Sequence, residues 1–327
     1  MNNSILKKKV PLGILIAVLL IAVPFLIQLV FGTEYGVMIA CIILIYTIAV
    51  SGLDLLFGYS GQISMGHAAF FVIGAYTSGL LNNYFNIPLW LTIPAGALLS
   101  CGLGALLAWP ASKLKFHFLS LATIAFGEIV YYFLYVSPGG FTGDYLGISV
   151  VTIPFLGGSY TRWYFFLLFF TVIALVLKHF LVHSRTGRAF QAIRENTHAA
   201  NGMGVNVRKN KIIAFAVSAF YTGFAGAVYV HLLRYIAPST GQQKQSVLFL
   251  TMLLFGGTAS MVGPIIGVVI IEILLELIRP LQEYQMLLYG ILLLIVIVAL
   301  PGGIYGGIKD LIVSIKRKKA AKQLTKK

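Results

Sequence analysis

The residues with the most chemical character sit where water is scarcest. The run Gly58-Tyr59-Ser60-Gly61-Gln62-Ile63-Ser64-Met65-Gly66-His67 gathers glycines, hydroxyls, an amide and an imidazole between two long apolar stretches. His67 follows Ser64 by three positions, one helical turn, the spacing of a nucleophile and its base. No acid is placed to orient the histidine. The sequence also has no Gly-x-Ser-x-Gly elbow, no His-Glu-x-x-His zinc pair and no Gly-x-x-x-x-Gly-Lys-Ser/Thr phosphate loop. The expectation is no catalytic residue, no metal site, no cofactor, and no ATP hydrolysis by that route.

The chemistry left to such a segment is hydrogen bonding. Glycine costs a helix about 1 kcal/mol per position relative to alanine, and an unsatisfied polar group in lipid costs more. Two readings stay open: small residues that let helices pack closely, or an interrupted helix whose polar groups line a solute path. A second irregularity lies in the other half of the chain. The apolar region 247–278 is interrupted by Gly256-Gly257-Thr258-Ala259-Ser260-Met261-Val262-Gly263-Pro264, which no straight helix would adopt. It reads as two helical arms meeting at a break. Paired discontinuities in two halves of a chain point to a transport site.

The ionisable residues within apolar runs are Asp54, Glu128, Glu272, Glu276, His67 and His231. A carboxylate at membrane depth is a functional candidate by default. Asp54 and Glu276 are expected near the interface, whereas Glu128 lies deepest by count. The set lacks the dense Asp/Glu/His series of a proton relay. Cys41 and Cys101 lie inside apolar runs without metal-ligand spacing and read as small buried residues.

These residues must be positioned by membrane helices. Of the 327 residues, 59% are hydrophobic and only 10% charged, against about a quarter charged in a soluble domain. Mean hydropathy is +0.92. A helix needs about 20 apolar residues to cross a bilayer. By that measure, spans fall near 11–31, 37–57, 63–81, 88–110, 117–136, 162–183, 212–235 and 285–300, with 247–278 as a broken pair. The fold class is therefore an all-α polytopic membrane protein with about ten transmembrane helices, including discontinuous or re-entrant segments. One pair of crossings fewer, with a re-entrant segment, would fit equally. The stretch from Pro11 to Phe31 is too long for a cleavable signal and reads as the first span.

The net charge of +15 is not a nucleic-acid footprint, because its cations cluster between apolar runs and at the ends. With a cytoplasmic N-terminus, Lys178 and most other cations fall in cytoplasmic segments. Only Arg162, Arg234, Lys244 and Arg279 of the 24 lysines and arginines remain for the outer side. That asymmetry places both termini inside. The chain divides into a cytoplasmic N-terminus (1–10), a transmembrane domain (11–307) and a basic cytoplasmic tail (308–327), the tail partly disordered.

Two loops exceed connector length. The outer one, 137–161, is rich in Gly, Ser, Thr and Pro. The inner one, 184–211, has helix-forming residues from Arg188 to Asn201 and a Gly202-Met203-Gly204 stop. It reads either as a charged connector or as a short helix lying across the membrane face. In the second reading Ala199, Ala200 and Gly202 let a partner approach, and Arg188, Phe190 and Arg194 anchor it.

These residues carry a resemblance. The sequence from Gly52 to Phe71, the run Ala125-Phe126-Gly127-Glu128-Ile129-Val130, the loop Ser184 to Val205, and Leu254-Phe255-Gly256-Gly257 through Gly263-Pro264 resemble the permease subunits of bacterial ATP-driven importers of branched-chain amino acids. The likeness is greatest to the second of the two paralogous permeases and covers about Met38 to Ile304. It implies a subunit of the bacterial plasma membrane that forms a passive path for leucine, isoleucine and valine. Its implied partners are a paralogous permease in a heterodimer, two cytoplasmic ATP-binding subunits and an extracytoplasmic solute-binding protein. Path residues would be Gln62, Ser64, His67, Glu128, Gly256 and Gly257; coupling to the ATPase would fall to Arg188, Arg194, His198, Ala199, Ala200 and Gly202. Three positions depart from the family pattern. His198 replaces a usual acid, Leu248 a usual glutamate, and Asp144 a usual glycine after Thr142-Gly143. Because urea and short-amide permeases share most of these motifs, they are the alternative within transport. A stand-alone secondary transporter is the alternative of another class.

Overall fold

The computed structural model describes residues 21–29, 34–113, 116–150, 157–279 and 303–307, with five single positions between 284 and 294. Helix α1 is described over 21–29. It is followed by α2 (Tyr35–Asp54), a π-helical turn (Leu55–Tyr59), α3 (His67–Phe85), α4 (Leu89–Ala111), α5 (Phe116–Val136) and α6 (Tyr160–His183). Then come α7 (Arg185–Glu195), α8 (Thr197–Gly202), α9 (Val207–Leu233), α10 (Gln243–Gly256) and α11 (Gly263–Ile278). The sequence-predicted span at 285–300, the first part of 11–31, the N-terminus and the tail lie outside the described residues.

Among the described residues, five helices are long and apolar enough to cross a membrane: Tyr35–Tyr59, Leu89–Ala111, Phe118–Val136, Tyr160–His183 and Val207–Leu233. The protein is a multi-pass all-α membrane protein, as its run lengths require. Burial separates centre from periphery: 67% of the most apolar α2 window is buried inside the protein, but only 17% of that of α5. The centre is α9 packed against α4, α3 and α2. Glycines set that distance. A Cβ at Gly226 would overlap the Phe71 carbonyl, and one at Gly74 the Gly223 carbonyl. Helices without a hydrophobic drive toward one another gain contact in this way, by letting backbones touch.

The broken region is a hairpin. Its arms, 14 residues in α10 and 16 in α11, are about 21 and 24 Å long, each short of the ~30 Å hydrocarbon core. At one end Tyr35 Oη donates to Glu276 at 2.9 Å, pinning the end of α11 to the start of α2. At the other end the break abuts Asp54, at the end of α2. The α7–α8 loop leaves α6 at this same Asp54 end. On the opposite face, β1 (Ile148–Ser149) pairs antiparallel with β2 (Tyr235–Ile236) and caps the bundle.

The structure departs from three sequence expectations. The third span starts at His67, not 63, and runs to Phe85; 60–66 is irregular. The inner loop holds two helices rather than one, because Asn196 leaves the helical region (φ −156°) and caps α8. Lys178 is not a loop cation but a fully buried residue of α6.

Candidate translocation and coupling site

The polar segment begins where α2 widens into its π turn. Gly58 lies there against the carboxylate of Asp54, with no room for a side chain. Beyond it, Ser60, Gln62, Ser64 and His67 each find a partner within the protein. Ser60 Oγ donates to Leu56 O at 2.9 Å and accepts from Gln62 Nε2 at 2.8 Å. Gln62 Nε2 also reaches Lys211 O at 3.3 Å. His67 sits between two serines, with Nδ1 2.8 Å from Ser64 Oγ and Nε2 2.7 Å from Ser218 Oγ. Backbone donors are answered too: Met65 N by Thr123 Oγ1 at 3.0 Å, and Ala68 N by Ser246 Oγ at 2.9 Å. Gln62, Ser64 and His67 are all buried. In this conformation they hold an irregular backbone in shape at membrane depth, where an orphan donor would be costly.

The second discontinuity, 257–262, meets the first. Gly257 and Ala259 take left-handed φ values of +107° and +53°, which turn the chain between the arms. Ser260 Oγ closes the turn, accepting from Gly263 N at 2.7 Å. Asp54 joins the two segments: its Oδ1 accepts from Ala259 N at 2.7 Å and its Oδ2 from Lys178 Nζ at 2.8 Å. Lys178 Nζ donates further to Ser260 O at 3.1 Å. Both charged side chains are 0% exposed. The expectation that Asp54 sits in cheap interfacial solvation is thus overturned. Its desolvation is offset by a buried cation and a backbone donor. Sequence reasoning missed this pair because its members are 124 positions apart. One signal was available: a cation inside an apolar run requires an anion nearby. Gly256 and Gly257 both lie in backbone-to-backbone contact, with Gly263 and Gly303 respectively.

The α7–α8 loop is built by two caps. Ser184 Oγ accepts from Gly187 N at 3.3 Å to start α7. Asn196 Oδ1 accepts from His198 N and Ala199 N, at 2.9 and 3.0 Å, to start α8. Each satisfies donors that a helix start leaves free. Phe190 is fully buried and roots α7 in the bundle. Arg194 Nη1 donates to the Gly58 carbonyl, so α7 touches the π turn directly. Arg188 instead bonds His183 O at 3.0 Å, closing the end of α6. On α8, His198, Ala199 and Gly202 are exposed, whereas Ala200 is turned into the protein. A cavity of about 490 Å³ opens beside α8, lined by Ser112 and Lys113 from the end of α4 and by Thr197, His198, Asn201 and Arg208.

Other singled-out residues fall elsewhere. Glu128 is half-buried on α5, next to Gly127, which faces Gly66. Glu276 shares the Tyr35 hydroxyl with Arg279. His231 is buried, its Nε2 2.7 Å from Ser78 Oγ. Leu248 packs in the core, so no carboxylate stands at that point of α10. Asp144 has φ +53°, a left-handed value that glycine adopts freely and aspartate tolerates. The backbone there explains why glycine suits the position.

Two broken segments clasped together, beside an exposed helical loop, make the chain a polytopic membrane component with paired discontinuities, the sequence mark of a transport site. A family model for the permease component of branched-chain amino acid transport systems matches residues 35–297. Escherichia coli (strain K12) LivM, a high-affinity branched-chain amino acid transport system permease protein, is 31% identical over 330 residues, covering 93% of this chain and 76% of that protein. LivH of the same organism, likewise a high-affinity branched-chain amino acid transport system permease protein, is 25% identical over 291 residues, covering 80% of this chain and 91% of that protein. A probable LivM of Methanocaldococcus jannaschii is 25% identical over 311 residues, covering 80% of this chain and 90% of that protein. No solved structure matches. The chain belongs to the branched-chain amino acid transport permease family, and it is a transport component rather than an enzyme.

Proposed function

We propose that this chain is the membrane-spanning subunit of an ATP-driven importer for branched-chain amino acids. It would lie in the plasma membrane with the α7–α8 face in the cytoplasm, paired with a paralogous permease. Two ATP-binding subunits would dock on α8, and an extracytoplasmic solute-binding protein would deliver leucine, isoleucine or valine. The observation that carries this reading is the contact of Arg194 with the Gly58 carbonyl. It joins an exposed loop to the first of two clasped discontinuities, a route by which a push on the loop would reach the segment inside the membrane. The substrate follows the names of the relatives.

The path is assigned to segment 60–66 and the break, which are joined through Gly58 and Asp54. Gln62, Ser64, His67, Gly256 and Gly257 form its walls, and Glu128 stands on the neighbouring helix. Their polar atoms, now paired within the protein, become available when packed helices shift as bodies. Docking is assigned to His198, Ala199 and Gly202, with Arg188 and Arg194 bracing the loop and Ala200 seating α8. Uptake by proteoliposomes holding the chain with its co-expressed partners tests the whole. Leucine should enter only when ATP is supplied on the α7–α8 side. Uptake of urea or acetamide instead would establish the amide reading, and ion-driven uptake by the chain alone the secondary-transporter reading.

A further inference from the structure

Asp54 and Lys178 belong neither to the path nor to the docking surface, yet they are fully buried charges in a membrane protein. A buried ion pair is a poor device for stability, since desolvation consumes most of its attraction and an apolar pair of like size often serves as well. The geometry here indicates another use. Every remaining bond of the pair goes to the backbone of the break: Asp54 Oδ1 takes the Ala259 N–H, and Lys178 Nζ takes the Ser260 carbonyl. If the break parted from α2 and α6, it would uncover two charges and two backbone groups at once.

The same carboxylate reaches the α7–α8 loop through one residue. Gly58 rests on Asp54 Oδ1 with no space for a Cβ, and the carbonyl of Gly58 accepts from Arg194 of α7. A continuous contact line therefore runs from α7 through Gly58 and Asp54 to Ala259 and Ser260. The Tyr59 ring lies 5.9 Å from Lys178 Nζ and shields the pair on that side.

We infer that Asp54 and Lys178 are positioning residues for energy coupling: they lock the α10–α11 break to the π turn, so that displacement of the coupling loop moves the break. This inference rests on the importer reading. It predicts that removing the pair uncouples ATP hydrolysis from uptake rather than weakening assembly.

The test uses the complete transporter in proteoliposomes, with the double variant Asp54→Asn/Lys178→Met, which removes both charges and strands neither. Uptake of labelled leucine per ATP hydrolysed is expected to fall about tenfold or more, within the usual range of coupling between sites. ATPase co-purification should persist. An unchanged uptake per ATP overturns the inference. A second measurement needs no variant. Hydrogen exchange on the wild-type complex, with and without trapped nucleotide, should show amides 257–262 and 55–61 changing together. If one segment responds and the other does not, the inference also fails. Failure of the importer reading looks different, because the wild-type complex would then show no nucleotide-dependent uptake.

Discussion

The junction around Asp54 and the tip at α8 are built from similar small residues but serve opposite ends. At the junction, Gly58 and Gly256 touch backbone and carboxylate so closely that no Cβ fits. At the tip, nothing among the described residues stands near Gly202 or Gly204, and Met203 is 85% exposed. Glycine inside the bundle is consumed by contacts within the chain. Glycine at the tip leaves room that no described residue fills. Residue type alone does not distinguish the two cases; the neighbours do.

Single substitutions should separate these regions sharply. Lys178→Met alone strands the Asp54 carboxylate in a dry site and should cost about 3–5 kcal/mol, read as a large fall in Tm of the purified protein. A change within error would mean that the junction is no tighter than the tip. Gly58→Val should follow, costing about 1–3 kcal/mol or more through overpacking, seen in Tm and in membrane yield. His67→Ala leaves Ser64 and Ser218 without their shared partner and should cost about 1–3 kcal/mol. Unaltered thermal stability would show those serines re-satisfied elsewhere. Asn196→Ala removes the cap of α8 and should cost about 1 kcal/mol. The loss should be local, appearing as faster amide exchange in 197–203 with Tm unchanged. Smallest for the fold is Gly202→Trp, expected to shift stability by less than about 0.5 kcal/mol. It should nevertheless abolish co-purification of the ATP-binding subunits, and intact association would remove α8 from the docking surface.

Much of the architecture was legible because lipid leaves the backbone few options. Apolar run lengths gave α4, α5 and α6 almost to the residue, and the Gly256–Pro264 stretch showed as a break. The start of α3 was misplaced because hydropathy reads Ile63 and Met65 as membrane helix, whereas glycines at 58, 61 and 66 and bonds to Thr123 favour an irregular path. The glycine-rich segment was legible as unusual, but its partners Lys211, Ser218 and Ser246 come from helices far along the chain. The Asp54–Lys178 pair stayed hidden for the same reason, and Lys178 was disguised by lying only a turn and a half from the basic loop. Ala200 has the size that suits a docking surface, yet helical phase turns it inward, next to exposed Ala199. Local pattern specifies elements; which faces meet is a property of the whole bundle.

Import by this chain is driven by ATP acting at its α7–α8 face. Leucine uptake by proteoliposomes containing the chain and its partners, compared with ATP on either side of the membrane, tests it most directly. Accumulation against a gradient is expected only with ATP on the α7–α8 side. Equal accumulation without nucleotide, driven by an ion gradient across the same vesicles, would contradict the account.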